Sequence, residues 1–418
     1  MRLEEVEGLN TAVKPATSSL QDVREAALST TYISLGSRRT ASVHEFYRYP
    51  ARFSPELAEA VISAFSRPGD LVVDPFMGGG TVPVEAQLLG RRCVGNDLNS
   101  LAHFVAQAKS VLIHKAAEAR LREWGSTLYR RLRLSKRVSI SDEAIRGGYL
   151  RHLNGSSTWR IRNLIWMALE TLEDFPPDSA EERLGRCAIL RTGQWALDMR
   201  RDIPGSEEFR ETLTSNALGM IDASLDYTGR AIESARRNSI PISPTLTQEA
   251  LPGLAMNEAI AEAPSLVFTS PPYPGVYVLY HRWKVLGRLE SPAPYWITGG
   301  LDGHGQAHYT MAARADQARE RYFEELALAF DDVSRFSSNA TWLVQVVGFN
   351  DIARQFDRYL EVMADVGFDE VRFETLATEP DGRLWRPVPS RRWWVTTPSF
   401  QGVAPNTARE VVLFFRKT

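Results

Sequence analysis

The sequence predicts an α/β fold, in which a mostly parallel sheet carries helices on both faces and is interrupted by a mainly helical insertion. Two short apolar runs, LVVD at residues 71–74 and RRCVGND at residues 91–97, each end in an acid and predict neighbouring buried strands. The turn MGGGT joins the first run to a helical stretch, which gives the strand, turn, helix, strand order of a doubly wound domain. Helical periodicity then continues to about residue 235.

The elements around this unit follow from local signals. Ser54 is the predicted N-cap, and Pro55 the first residue, of a helix that precedes the first strand. Within the insertion, residues 157–175 and 206–237 show apolar positions at three- and four-residue spacing and predict two helices. After the insertion, strands are predicted in SIPIS (239–243), SLVFTS (265–270), ATWLVQVVGF (340–349), DEVRFETL (369–376) and REVVLFFRK (409–417).

These patterns divide the 418 residues into an N-terminal arm at 1–40, an α/β domain formed by 41–104 and 236–418, and the helical insertion at 105–235. No stretch approaches the roughly 20 apolar residues of a membrane helix, and the N-terminus lacks a signal-peptide pattern, so we expect a cytoplasmic protein. Cys93 and Cys187 are the only cysteines, too few for a disulfide framework or a zinc quartet, and no metal is expected.

A basic segment lies within a chain whose formal net charge is −2. Between Lys109 and Arg162 there are thirteen Lys or Arg residues and four Asp or Glu residues, with aromatic residues such as Trp124 and Tyr129 interleaved. Two interpretations stay open for this run: a solvated helical face, or a surface that contacts nucleic-acid phosphates.

The glycine turn has the character of a ligand site. Its glycines let the backbone approach a ligand closely, and the helix that follows offers free N–H groups to an anionic group. Asp74 ends the first strand, where it can pair with a cationic group, and Asp97 ends the next strand, where α/β domains bind ribose hydroxyls. The pattern is neither a P-loop nor Gly-x-Gly-x-x-Gly, and a purely structural tight turn is the alternative.

A second turn, Ser-Pro-Pro-Tyr at residues 270–273, directly follows the apolar run LVFT. Two prolines end the strand, because neither has an N–H to donate, and they hold backbone carbonyls in fixed directions. Such a turn suits an exocyclic amine of a nucleobase, a poor nucleophile that acceptors must orient. Ser270 and the Pro271 carbonyl are the expected acceptors, and Tyr273 is expected to stack on a flipped base, with Tyr273→Phe tolerated. A structural Pro-Pro turn is the alternative.

Three stretches, at residues 44–62, 71–100 and 266–273, together resemble motifs X, I with II, and IV of the DNA amino-methyltransferases. The matched stretches cover about 70 of the 418 residues. Members of this family use S-adenosylmethionine to methylate N4 of cytosine or N6 of adenine. The resemblance implies a Rossmann-like class I methyltransferase sheet, S-adenosylmethionine as cofactor, and double-stranded DNA as partner. A cognate restriction or defence system stays open as a further partner.

The resemblance also implies roles for individual residues. The methionine end of the cofactor would be lined by Asp74, Phe76, Gly78, Gly80 and Thr81. Asp97 would hold the ribose hydroxyls and Glu249 the adenine, although Gln248 stands where the family usually has the Gly of a Gly-Asp pair. Arg52 and Phe53 would close over the cofactor. The target base would be bound, and its methylation catalysed, by Ser270, Pro271, Pro272 and Tyr273.

The motif order resembles that of the subgroup whose target-recognition region lies between motifs I and IV, which makes the insertion the candidate DNA-binding region. The predicted phosphate contacts are Arg130, Arg131, Arg133, Lys136 and Arg137 in the insertion, and Arg391 and Arg392 in a second basic and aromatic patch. Alternatively, the insertion is a structural scaffold and the second patch is a surface loop, without contact to DNA.

Serine at the first position of the tetrapeptide favours cytosine N4 in this family, and we expect site-specific transfer to that amine, directly to a flipped base. Adenine N6 is the alternative, ahead of an RNA amine methyltransferase or a non-catalytic DNA-binding subunit. Methylation of cytosine C5 is disfavoured because it needs a thiolate nucleophile after a proline, whereas Cys93 and Cys187 each follow an arginine.

Overall fold

The computed structural model describes residues 42–49, 54–134, 144–145, 147–274, 282–299, 311, 317–349, 351–388 and 408–418. Within these ranges the chain forms an eight-stranded sheet and a separate two-stranded hairpin. The strands of the large sheet are β1 (Leu71–Asp74), β2 (Arg92–Asn96), β3 (Thr245–Thr247), β4 (Leu266–Thr269), β7 (Trp342–Gly348), β8 (Phe368–Val371), β9 (Leu384–Val388) and β10 (Ala408–Lys417). The hairpin consists of β5 (Trp283–Val285) and β6 (Leu289–Ser291).

The strand order is β3-β2-β1-β4-β7-β10-β8, and β9 also pairs with β10. The first five strands run parallel, whereas β10 is antiparallel to β7, β8 and β9. The predicted α/β class with an interrupted, mostly parallel sheet is therefore confirmed. Because β1, β2 and β4 are parallel neighbours, their carboxyl ends meet at one edge, where such sheets bind ligands.

Ten helices accompany the strands in the described ranges. They are α1 (Pro55–Phe65), α2 (Thr81–Leu88), α3 (Ser100–Lys109), α4 (Lys115–Arg131), α5 (Trp159–Glu170), α6 (Ala180–Leu197), α7 (Ser206–Asn238), α8 (Ala293–Thr298), α9 (Gln317–Phe336) and α10 (Ile352–Asp365). Helix α1 begins as the sequence predicts, because the Ser54 hydroxyl accepts the Leu57 N–H at 3.3 Å and Pro55 is the first helical residue.

Successive residues of each buried strand point to opposite faces of the sheet, and both faces are covered. Leu71 and Val73 of β1 pack in the core under α9 and α10, whereas Val72 packs in the core under α1 and α2. This alternation explains why the parallel strands read as uninterrupted apolar runs in the sequence.

The insertion packs against the α/β domain in one continuous core. Helices α4, α5, α6 and α7 share this core with α3, with the segment at 43–49, and with β5 and α8. The tie to the 43–49 segment is specific, because the side chain of Gln194 in α6 is bound to the backbone of Arg48 on both sides. It accepts the Arg48 N–H at 3.1 Å and donates to the Arg48 carbonyl at 3.0 Å.

Two predicted strands differ from the observed ones. The segment SIPIS is not a strand, since α7 runs to Asn238, Ser239 takes a left-handed conformation and Pro241 has no N–H for a ladder. Strand β3 begins at Thr245 instead. The segment at 369–376 forms β8 only to Val371 and then a 3₁₀ turn at Glu374–Leu376. In the described part of the chain, no helix is long and apolar enough to span a bilayer.

Candidate active site

The glycine turn is held by backbone contacts to the second strand. The Met77 N–H donates to the Asn96 carbonyl at 2.9 Å, and the Gly78 N–H donates to Oδ2 of Asp97 at 2.9 Å. Gly80 has a φ of +75°, and a Cβ added there would lie 2.7 Å from the Cβ of Ala106 in α3. Glycine is therefore required at this position for both its backbone conformation and the close approach of α3.

Asp97 lies directly after β2 and joins that strand to the glycine turn. Its Oδ1 accepts the Asn99 N–H at 2.9 Å while Oδ2 accepts the Gly78 N–H. Burial raises the pKa of the carboxyl to about 6, and the two backbone hydrogen bonds oppose that rise.

Asp74 lies at the end of β1 and connects the glycine turn with the end of β4. Its Oδ1 accepts the hydroxyl of Thr269 at 2.7 Å and the Phe76 N–H at 3.2 Å. Burial raises the pKa of this carboxyl to about 7, with a further increase from the nearby charge of Asp97. Thr269 immediately precedes Ser270, so the predicted cofactor acid and the predicted catalytic turn lie side by side.

This pair of acids fits a positively charged ligand. Asp74 and Asp97 are both desolvated, and in the described part of the chain neither forms an ion pair with a basic side chain. A ligand with an ammonium and a sulfonium group would supply the missing positive charge, and Thr81, at the start of α2, is buried beside the turn. The donor set therefore suits S-adenosylmethionine.

Glu249 is positioned by an asparagine that sequence reasoning missed. The buried Asn96 accepts the Glu249 N–H at 2.9 Å and donates to the Glu249 carbonyl at 3.1 Å. Asn257 donates to Oε1 of Glu249 at 2.8 Å, which orients the carboxylate. The backbone of Glu249 is thus fixed next to Asn96, the last residue of β2, one position before Asp97.

The Ser270 to Tyr273 turn is held by a chain of hydrogen bonds. The Ser270 hydroxyl donates to the Val346 carbonyl at 3.0 Å and lies 3.1 Å from the Tyr273 hydroxyl. The Tyr273 hydroxyl donates to Oε1 of Glu410 at 2.9 Å. Since a carbonyl and a carboxylate can only accept, the Ser270 proton goes to Val346 and the Tyr273 proton to Glu410. The Ser270 oxygen keeps lone pairs to accept hydrogen bonds.

The burial of Tyr273 differs from the sequence expectation. The residue is 7% exposed and packs in the core with Tyr322 and Phe349, so its ring is not presented to solvent as a stacking surface. Pro271 is buried and Pro272 is half-buried, and the Tyr322 hydroxyl donates to the Pro272 carbonyl at 2.8 Å.

Glu410 is anchored by an arginine from the neighbouring strand. It lies in β10, 1% exposed, directly opposite Arg386 of β9. The Arg386 guanidinium donates to Oε2 of Glu410 from Nη2 at 2.9 Å and from Nε at 3.1 Å. This two-point contact leaves Oε1 for Tyr273. Neither residue has a sequence signal that links it to a turn more than a hundred positions earlier.

Several predicted site residues lie outside the described residues: Arg52, Phe53, Lys136, Arg137, Arg391 and Arg392. Tyr49, a described residue of the N-terminal stretch 44–62, packs against the glycine turn. A Cβ added at Gly79 would lie 3.0 Å from the Cβ of Tyr49. His44, in the 3₁₀ turn before Tyr49, bonds through Nε2 to Oε1 of the buried Glu85 at 2.7 Å, which ties this segment to α2.

The predicted phosphate contacts that the structure describes lie at the end of α4. Arg130, Arg131 and Arg133 are all exposed there, and Arg131 pairs with Asp174 at 2.7 Å. The interleaved aromatic residues serve the insertion itself, because Trp124 is buried and donates to the Thr171 hydroxyl at 2.8 Å.

Both thiols are poor nucleophiles. Cys93 and Cys187 are buried, and burial raises the pKa of Cys93 well above its usual value and that of Cys187 to about 12. The structure is thus consistent with a reaction that uses no cysteine.

Comparisons with known proteins find DNA methyltransferases that are similar to part of this chain. Residues 14–109 match the family model for DNA methylases of the N6 and N4 type. The type II methyltransferase M.BsoBI of Geobacillus stearothermophilus is 33% identical over 81 residues, which are 19% of this chain and 16% of that protein. The type II methyltransferase M1.MboII of Moraxella bovis is 49% identical over 57 residues, 14% of this chain and 21% of that protein.

The alignments therefore span about a fifth or less of the length of these relatives. Among solved structures, the rRNA methyltransferase AviRa of Streptomyces viridochromogenes gives a TM-score of 0.31 at 11% identity, over 91% of this chain and 94% of that one. A likeness this low carries no argument about function.

Proposed function

We propose that this chain, which belongs to the family of DNA amino-methyltransferases, transfers a methyl group from S-adenosylmethionine to the exocyclic N4 amine of a cytosine in double-stranded DNA. One observation carries the proposal. The Thr269 hydroxyl donates to Asp74 at 2.7 Å, which sets the turn that begins at Ser270 beside the acid of the glycine turn. A cofactor site and an amine-orienting turn in direct contact are what methyl transfer to an amine requires.

The residues around the glycine turn bind and orient the cofactor. S-adenosylmethionine, when bound, supplies an activated methyl group on a sulfonium. Asp74 and the N-terminus of α2 would hold its amino acid end, Asp97 would accept hydrogen bonds from the ribose hydroxyls, and Glu249 would contact the adenine.

Ser270 and Pro271 orient the amine of a base that has left the helix stack. Ser270 accepts an amine hydrogen because its own proton is donated to the Val346 carbonyl, which leaves lone pairs on the hydroxyl oxygen. The Pro271 carbonyl accepts the second hydrogen. Both acceptors increase electron density on the amine nitrogen and fix its direction, so the transfer is direct and no covalent bond forms between enzyme and DNA.

Serine as the first residue of the turn favours cytosine N4, because the family members that this chain resembles carry serine there more often when cytosine is the target. Adenine N6 is the alternative target, because the same two acceptors hold either amine. Identification of the methylated nucleoside in the product distinguishes the two targets.

Transfer of tritium from S-adenosyl-[methyl-³H]methionine to duplex DNA, and separately to structured RNA, tests the proposal. Label is expected in DNA. Ser270→Ala is expected to lower turnover with little change in DNA affinity, whereas Asp97→Ala is expected to weaken cofactor binding about ten- to a hundredfold. Label in RNA alone, or no transfer by a protein that binds the cofactor tightly, would contradict it.

A further inference from the structure

We propose that a cationic surface, formed by the β5–β6 hairpin and the turn between α6 and α7, binds the phosphate backbone of the substrate duplex beside the target base. It consists of Arg200 and Arg201 in the turn and Lys284 and Arg288 in the hairpin, and we call it the hairpin surface. The inference rests on the proposed function, because it names the place where that substrate docks.

The cations of the hairpin surface are available to a ligand. Arg201, Lys284 and Arg288 are exposed, and in the described part of the chain no side-chain ion pair or hydrogen bond involves them. Burial raises the pKa of the nearby Asp198 carboxyl, and the charge of Lys284 opposes that rise. Glu290 stands opposite Lys284 in the hairpin register without pairing with it. The Arg200 guanidinium lies 4.9 Å from the centre of the Trp195 ring, which keeps it extended along the surface.

Several cations of the basic run on α4 are already paired with carboxylates. Arg122 is bound to both Glu118 and Asp222, at 2.9 and 2.7 Å, and Arg120 is bound to Glu181. A phosphate that approached these arginines would have to displace a carboxylate, so part of the charge counted from the sequence is already neutralised.

The two halves of the hairpin surface are locked together through their backbones. The Lys284 N–H donates to Oδ1 of Asp198 at 2.8 Å, and the Met199 N–H donates to the Lys284 carbonyl at 2.9 Å. The Arg201 side chain crosses the hairpin loop, since a Cβ added at Gly287 would lie 3.5 Å from its Cγ. Cations on a preformed surface lose less entropy when they bind phosphates.

Buried contacts hold the hairpin near the active site. Trp283, which begins β5 ten positions after Tyr273, is buried and donates from Nε1 to the Tyr47 hydroxyl at 3.1 Å, on the segment that reaches the glycine turn through Tyr49. It fits against α6 because Gly193 has no side chain; a Cβ there would lie 2.6 Å from the Trp283 ring.

The segment after the hairpin returns to the cofactor acids. The Tyr295 hydroxyl in α8 donates to Oδ1 of Asn99 at 3.4 Å, and the Asn99 N–H is bound to Asp97. The chain between Trp283 and Tyr295 is therefore fixed at both ends to residues that adjoin the cofactor site. The hairpin that carries Lys284 and Arg288 is thus tied to the surroundings of the cofactor site, and phosphate contacts made from it would position the duplex.

The salt dependence of duplex binding tests the hairpin surface. Fluorescence anisotropy of a labelled DNA duplex, with the full chain and S-adenosylhomocysteine, is measured at several salt concentrations. For Arg201→Ala/Lys284→Ala/Arg288→Ala, the slope of log K against log salt should become shallower by about 2.7, which is about 0.9 for each lost contact. Each single variant, with an expected change of about 0.9, replaces the triple variant if the latter fails to fold.

A matched control removes equal charge elsewhere. Arg230→Ala/Arg236→Ala/Arg237→Ala lies near the far end of α7, at least about 36 Å along the helix from its first residue, Ser206. This control should keep the wild-type slope.

The outcomes separate the inference from the proposed function. A hairpin variant that binds cofactor normally and keeps the wild-type slope would overturn the hairpin surface, even if the wild-type protein binds and methylates duplex DNA. A wild-type protein with no affinity for duplex DNA would overturn both, and preference for structured RNA would reassign the substrate.

Discussion

Removal of the Tyr273 hydroxyl by Tyr273→Phe, a change that the sequence alone predicts to be tolerated, should impair the enzyme although the aromatic ring is kept. The hydroxyl donates to a carboxylate oxygen of Glu410, which is 1% exposed, and it lies 3.1 Å from the Ser270 hydroxyl. A hydrogen bond to a charged group contributes about 1.5–3 kcal/mol, and the variant removes the Tyr273 donor from that buried oxygen. We therefore expect the free energy of unfolding to fall by about 2 kcal/mol.

The same loss should appear in turnover, because the bond fixes the turn that orients the amine. If about 2 kcal/mol of positioning energy is lost from the transition state, turnover falls about 30-fold while DNA affinity changes little. Urea unfolding and single-turnover kinetics measure the two effects separately.

Tyr359→Phe is the matched control for this prediction. The Tyr359 hydroxyl donates to Oε1 of Gln345 at 2.9 Å in the same core cluster, and the residue is fully buried. It should lose comparable stability and keep its turnover. Wild-type turnover in Tyr273→Phe, or an equal loss in both variants, would refute the positioning role.

Three further predictions concern the cofactor, the glycine turn and the basic run. Because burial holds the pKa of Asp74 at about 7 and a cationic ligand prefers the ionised acid, calorimetry should show cofactor affinity rising between about pH 5.5 and 7.5, and Asp74→Asn should flatten that profile. The same raised pKa means that ionisation destabilises the ligand-free protein, so its Tm should fall as the pH rises from about 4 to about 7 and then level off. A flat affinity profile would contradict this account. Gly80→Ala should lower the free energy of unfolding by at least about 2 kcal/mol in thermal unfolding, because backbone strain at φ +75° adds to the contact with Ala106. The control Gly148→Ala, at φ +68° with open space around it, should lower it by about 1 kcal/mol. Equal losses would show that packing against α3 contributes nothing. The variant Arg130→Ala/Arg131→Ala/Arg133→Ala should also make the salt slope of DNA binding shallower, but by less than the hairpin variant does, because Arg131 is already paired with Asp174. An equal or larger change in slope would place the main phosphate contacts on α4.

The sequence predicts the residues that lie at the ends of strands. Asp74, Asp97 and Ser270 each follow a short apolar run, and parallel neighbours bring such ends to one edge of a sheet, so their proximity follows from strand order alone. Their side-chain bonds, such as that between Thr269 and Asp74, then depend on register, which the local pattern does not specify.

The sequence does not predict the residues that support the Ser270–Tyr273 turn, because their contacts also depend on strand register. Glu410 reaches Tyr273 because β10 is antiparallel to β7 and places Glu410 opposite Gly348, and Arg386 reaches Glu410 because β9 pairs with the same strand. The hairpin was missed because its strands have three residues each, too few to show a period. Pairings between distant parts of a chain are set by the whole fold.

The nucleosides of DNA treated with the protein and S-adenosylmethionine test the central claim most directly. Mass spectrometry of the digested duplex should detect N4-methylcytosine with the wild-type protein and far less with Ser270→Ala. N6-methyladenine in its place would keep the family and the site but contradict the choice of base. The absence of any methylated base, with cofactor bound and duplex in excess, would contradict the account as a whole.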